Sequence, residues 1–154
     1  MGEVSRLFIA EARRHAMREM KEVEAIADRG FAGCIHGRPG SSRQVLLMDS
    51  ETLDLLRVVP GDVRENITTA GLALNELRSG QQLQAGEAVL LGTKPCEPCE
   101  RMDEIQPGLQ EKICGRRGIL CKVLQGGRVR RGDPIEILAT DHEGTPKAEV
   151  EKGG

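Results

Sequence analysis

The 154 residues carry 22 basic and 24 acidic side chains, a formal net charge of −2, with 19 glycines and only Phe8 and Phe31 as aromatics. The even charge excludes a global pull toward nucleic acid or an anionic membrane, and the missing aromatics argue against single-strand recognition by base stacking. One domain burying roughly 70% of its unfolded surface is expected at this length. No run is long or apolar enough to span a bilayer as a helix, and residues 1–10 lack the basic lead and continuous apolar run of an export signal, so a cytoplasmic location is expected.

In chain order, residues 4–9 begin with apolar–polar alternation and turn fully apolar, as a strand entering a core does. Residues 13–19 are polar and read as a loop. Residues 21–27 alternate around Val23, Ala25 and Ala27, a second strand. Gly30, Gly33, Gly37, Pro39 and Gly40 make residues 28–40 a loop. Residues 43–48 read as a buried strand. Ser50 reads as the N-cap of a short helix with Leu53, Leu55 and Leu56 on its face, ended by Pro60-Gly61. Residues 65–69 are rich in β-formers, residues 83–87 are turn-like, and residues 88–92 form a strand running into Cys96.

Residues 97–112 show helical spacing interrupted by Pro107-Gly108. Residues 119–124, 128–130 and 134–139 read as closing strands around a Gly126-Gly127 turn. The single domain is expected to end at residue 139, with residues 140–154 a polar, frayed tail. About seven short strands and a few short helices, with no strand–helix alternation, predict a mainly β fold: a mostly antiparallel, closed or partly closed barrel.

Five cysteines without an export signal do not read as a disulfide framework. Cys96, Cys99, Cys114 and Cys121 cluster with the spacing C-x2-C-x14-C-x6-C, while Cys34 stands in the glycine loop. The Pro95-Cys96-Glu97-Pro98-Cys99 motif admits three chemistries: a zinc site, a redox dithiol, or one reactive thiolate. A zinc ribbon needs two tight pairs, and the second pair here is too wide, so no structural zinc is expected. A thioredoxin-like dithiol of Cys96 and Cys99 needs a βαβ frame that the pattern lacks. A reactive Cys99 would directly precede a short helix at 100–105, whose N-terminus favours a thiolate, with Glu97 and Glu100 opposing. Cys114 and Cys121 read as buried small hydrophobes, and Cys34 reads equally as core or as site.

Between Lys112 and Gly132 lie seven basic residues, Arg116 and Arg117 among them, and no acidic one. Such a run beside glycines suits either a solvated hairpin or a phosphate holder, the latter requiring convergence with Arg43, Arg64 and Asn66. His36 in the glycine loop is a candidate proton carrier or an ordinary polar loop residue.

Several segments, in this order, resemble the MOSC domains, named after the C-terminal domain of molybdenum cofactor sulfurase. They are the glycine loop at 30–36, Arg43-Gln44-Val45, Pro60-Gly61 followed by Arg64-Glu65-Asn66-Ile67-Thr68, residues 83–90, Pro98-Cys99, and residues 126–135. The resemblance implies a mostly antiparallel barrel with Cys99 as the functional thiol. It implies sulfur carriage, with Cys99 accepting sulfur as a persulfide from a PLP-dependent cysteine desulfurase for metal–sulfur centre assembly, or binding of a molybdenum–pterin cofactor with Cys99 as molybdenum ligand. PLP would enter only through that partner; a molybdoenzyme is the other implied partner. Arg43, Arg64, Asn66, Arg116 and Arg117 are the expected cofactor-binding residues. Two alternatives stand beside this: a molybdenum-dependent reductase of N-hydroxylated compounds with an external electron donor, and a dithiol redox module of Cys96 and Cys99. One departure stands out. Cys34 occupies a position where many members of that family carry aspartate.

Overall fold

The computed structural model describes residues 2–139, so the tail expected at 140–154 lies outside the described residues. The strands in chain order are β1 (Gly2–Ile9), β2 (Arg18–Met20), β3 (Glu22–Ile26), β4 (Gly30–Phe31), β5 (Val45–Asp49), β6 (Ile67–Ala70), β7 (Gln82–Ala85), β8 (Ala88–Pro95), β9 (Ile119–Gln125), β10 (Gly127–Arg130) and β11 (Pro134–Ile137). Three helices join them: α1 (Ser50–Leu56), α2 (Met102–Ile105) and α3 (Leu109–Lys112).

A ring closes in the order β1-β6-β5-β9-β8-β7-β11, because β11 pairs back onto the start of β1. β2 pairs with the far end of β1, and β10-β3-β4 form a separate small sheet. Every pairing in the ring is antiparallel except β5 with β6, which is parallel. Parallel neighbours need a crossover, and α1 lies in it. Register shifts at Val4/Arg6 of β1 and at Val89/Leu90 and Gly92/Lys94 of β8 bend the long strands so that the ring can close.

The barrel interior is aliphatic: Leu47, Ile67, Leu83, Leu90 and Ile135 are fully buried in one cluster. β8 alternates buried Ala88, Leu90 and Gly92 with half-exposed residues, the period-2 pattern of a strand with one dry face. β5 is buried at all of its residues because its outer face meets a second cluster, in which Met48 packs with Leu53 of α1, Met102 of α2 and Leu109 of α3.

Local chemistry corrects three of the expectations. Asp49, not Ser50, caps α1: its Oδ2 accepts from the Thr52 amide at 2.9 Å and from the Thr52 hydroxyl at 2.6 Å. Residues 82–85 are the strand β7, paired on both sides, with the turn confined to Gly86-Glu87. The polar stretch at 13–19 runs into β2, where pairing with β1 overrides its weak strand pattern. The glycines that matter most stand beside the upper loops. Gly118 (φ +102°) brings its Cα so close to the Leu47 carbonyl that no side chain fits, and a Cβ on Gly61 (φ +93°) would meet the Phe8 ring at 3.0 Å.

Candidate functional site

The loops at one end of the barrel surround a cleft of about 630 Å³. The chain after β1 contributes Arg13 and Arg14; the loop between β4 and β5 contributes His36, Arg38 and Arg43; the turn before β6 contributes Arg64. The segment after β8 contributes Cys96 and Arg101, and the turn before β9 contributes Arg117. No carboxylate lines this cleft, and none of its seven arginines (13, 14, 38, 43, 64, 101 and 117) forms an ion pair among the described residues. Like charges gathered without counter-charge repel one another unless an anion enters.

Two of these arginines are held firmly. Arg64 has a left-handed backbone (φ 66°) and donates from Nη1 to the His15 carbonyl at 2.6 Å. Burial, and then the nearby Arg101 charge, lower its pKa, while Cys34 pulls the other way. A non-glycine residue in this backbone region costs of order 1–3 kcal/mol and is kept where the surroundings impose it. Arg117 is only 7% exposed; Nη2 donates to the Val63 carbonyl at 2.8 Å, but Nε and Nη1 have no hydrogen-bond partner among the described residues. The buried Glu65 also retains an unpartnered oxygen, Oε1, while Oε2 accepts from the Thr68 hydroxyl. Burial raises the Glu65 pKa against the opposing pull of its hydrogen bonds and of Arg117.

Cys99 is exposed and lines an adjoining cleft of about 480 Å³ that shares Arg14, Arg64, Arg101 and Arg117 with the first. The helix expected directly after it begins only at Met102 and has four residues, with Arg101 at its N-cap. So short a helix supplies little dipole, and the cleft beside Cys99 carries Asp62 and Glu104 as well as its arginines.

Of the expected binding residues, Arg43, Arg64 and Arg117 come together on the cleft. Arg116 is exposed and lines neither cleft. Asn66 is fully buried behind the cleft wall, where its Oδ1 accepts from the Leu46 amide at 3.0 Å and its Nδ2 donates to the Phe8 carbonyl at 3.2 Å and to Cys34 Sγ at 3.4 Å. It ties β1, β5 and the glycine loop to one another.

The cysteines separate by environment. Cys96 is buried on the wall between clefts, Cys121 is buried in β9, and Cys114, expected inside, is exposed on the turn after α3 because Leu109 and Ile113 take the inward face. All five are free thiols, and among the described residues no three His, Cys, Asp or Glu side chains gather as a metal site would require. Cys34 is the least expected of the five. Its sulfur accepts from the Ala10 amide at 3.3 Å as well as from Asn66, and His36 Nδ1 lies 3.4 Å from Asn66 Oδ1. Burial alone would push this thiol up, but hydrogen bonds from the His36 side chain and from the Ala10 and His36 backbone outweigh it and bring it to about 7. Arg13, Arg14, Arg38 and Arg101 escape sequence reasoning because each sits alone or paired in a separate loop, and only the folded chain gathers them.

A small closed barrel with an arginine-lined cleft and thiols at its edge is the class of protein defined by this architecture. The chain belongs to the MOSC domain family, whose model matches residues 33–136. It is 31% identical over 85 residues to the uncharacterized protein YflK of Bacillus subtilis, a match spanning 52% of this chain and 38% of that protein. Its fold is similar to the crystal structure of the Bacillus subtilis YUAD protein, with a TM-score of 0.76 at 22% identity over 88% of this chain and 94% of that one. It is equally similar to YiiM from Geobacillus stearothermophilus, with a TM-score of 0.76 at 18% identity over 97% of this chain and 82% of that one. Among the described residues no helix is long and apolar enough to cross a membrane.

Proposed function

We propose that this protein is an anion-binding thiol module, in which Cys99 carries sulfur or a metal–sulfur ligand and the arginine cleft holds the phosphate-bearing part of its cargo. The observation that carries this reading is the set of arginines without ion pairs that runs continuously from the main cleft to the exposed Cys99. Guanidinium groups hold phosphate through paired N–H donors, and a thiolate is both a sulfur acceptor and a soft metal ligand.

The residues present fit a molybdenum–pterin cofactor. Cys99 offers an accessible soft donor, and Arg117 offers two unpartnered nitrogens toward an anion. Cys99 would hold the metal, with Arg43, Arg64 and Arg117 on the phosphate and pterin. Such a group supplies redox chemistry when bound; this chain's own part is to bind and orient it and to offer a proton at the His36 ring. A PLP-dependent cysteine desulfurase or a molybdoenzyme is the partner consistent with sulfur carriage.

The test is to purify the protein from a host that makes the molybdenum cofactor, then record its near-ultraviolet and visible spectrum, its metal content and the sulfur on Cys99. With no Trp or Tyr in the chain, a bound pterin stands out. Cofactor or persulfide loading is expected, lost in Cys99→Ser with the fold intact, and cofactor loading weakened roughly tenfold or more in Arg43→Gln through loss of one charged contact. Loading that persists undiminished in Cys99→Ser overturns the reading.

A further inference from the structure

We infer that Glu65 is the internal counter-charge of the arginine cleft: acting through Arg117, it opposes an entering anion while ionised and takes up a proton from solvent when an anion binds. The inference rests on the reading of the cleft as an anion site and is independent of Cys99.

Two buried groups of opposite charge carry it. Glu65 is fully buried and lines none of the clefts, whereas its neighbour Arg64 lines the main one, so this turn sends one side chain to the cleft and the next into the interior. Glu65 Oε2 accepts from the Thr68 hydroxyl at 2.9 Å, but Oε1 has no partner among the described residues. Arg117 is more than nine-tenths buried. Its Nη2 donates to the carbonyl of Val63, in the same turn as Glu65, while Nε and Nη1 have no partner among the described residues. The two groups form no direct ion pair, yet the Arg117 charge bears on the carboxyl. Buried polar atoms nearly always find partners, so an orphaned oxygen and two orphaned nitrogens around one turn mark an interaction left incomplete. Arg117 also lines the main cleft and both adjoining ones, so a single guanidinium links the interior carboxylate to the whole anion surface.

The consequence is a linkage between anion and proton. An anion in the cleft and the Glu65 carboxylate compete for one guanidinium and repel each other. The Thr68 hydroxyl faces Glu65 from β6, the Gly61 backbone faces it from the preceding turn, and Arg117 is the charged group that bears on it. Burial already holds this carboxyl above its ordinary value, and a bound anion raises it further. Protonation of Glu65 favours the anion, and by reciprocity the anion favours the proton. Affinity therefore strengthens as the pH falls and weakens as Glu65 ionises.

The experiment titrates the full-length protein with sulfate, whose own charge stays constant across the pH range used. Glu65→Gln removes the charge and keeps the shape. It is expected to bind sulfate about fivefold or more tightly at pH 7, whereas loss of a merely structural contact would weaken binding. Carbon NMR of the Glu65 carboxyl in the wild-type chain, which observes this group apart from His36 and His15, should show its titration moved to higher pH by sulfate. Arg43→Gln should weaken sulfate binding whether or not Glu65 is linked to it, and so reports on the cleft alone. A folded Glu65→Gln protein that binds sulfate no more tightly than wild type overturns the inference, as does a Glu65 titration that sulfate leaves in place; either result leaves the anion cleft standing. Absence of sulfate binding by the wild type overturns the cleft reading and this inference together. Should Glu65→Gln fail to fold, the wild-type NMR titration decides.

Discussion

Cys121 and Cys34 are both buried thiols in the same apolar cluster, and they behave in opposite ways. Cys121 lies in β9 opposite Val45 of β5 and Gly92 of β8, fully enclosed, and burial pushes it up to about 12. Cys34 is 8% exposed in the loop after β4, and although burial alone would raise it, hydrogen bonds from His36 and Ala10 bring it down to about 7. In a strand the backbone donors are already committed to the neighbouring strands, so an enclosed sulfur finds none for its anion. In an irregular loop they are free to point at a side chain. Depth therefore does not decide reactivity in this molecule; the supply of donors does. The loop end stands apart from the barrel wall in charge as well, since it gathers seven arginines with no ion pair among the described residues.

The largest expected effect is chemical. At pH 7 the thiolate populations of Cys34 and Cys121 should differ by roughly four to five powers of ten. Iodoacetamide followed by peptide mapping should label Cys34 in the folded protein and Cys121 only after denaturation; comparable labelling of the two would break the comparison. Next comes packing. Leu90→Ala, inside the barrel, should cost about 2–5 kcal/mol by denaturant titration, whereas Arg43→Gln on the cleft should stay within about 0.5 kcal/mol. A costly Arg43→Gln would mean that the cleft arginines support the fold rather than await a ligand.

The smallest effect is the pH dependence of stability, and its sign separates the two thiols. The folded pKa of Cys34 lies below its ordinary value, so its ionisation favours the folded chain. That contribution is absent below about pH 7, grows as the pH rises, and is complete above 9.0, at most about 2–3 kcal/mol. The folded pKa of Cys121 is raised, so its contribution is intact below pH 9.0 and is lost as the pH climbs toward about 12. The stability gap between wild type and Cys34→Ser should therefore widen from pH 7 to pH 9. A gap that stays flat would show that the thiol does not ionise in the fold.

Much of the barrel is legible residue by residue. Val4 to Ile9, Val23 to Ala27 and Ala88 to Gly92 announce their strands because one face of each must stay dry. β7 escapes because Leu83-Gln84-Ala85 is too short to show a period before Gly86, and only pairing with β8 and β11 makes it a strand. The helix after Cys99 is shorter than its pattern, because residues 100–101 form a tight turn and α2 begins only at Met102.

The sequence by itself determined the class of fold, the placing of its glycine turns, the near-even balance of charge, and Cys99 as a thiol worth testing. These are local properties, set by side-chain period, backbone permissiveness and composition. Only the tertiary structure decided which arginines meet and which cysteine finds donors. Cys34 and Asn66 stand 32 residues apart, and Arg117 and Val63 stand 54 apart. Coulomb forces and hydrogen bonds act over ångströms in space, and the closure of the ring by β11 on β1 completes the frame that sets those distances.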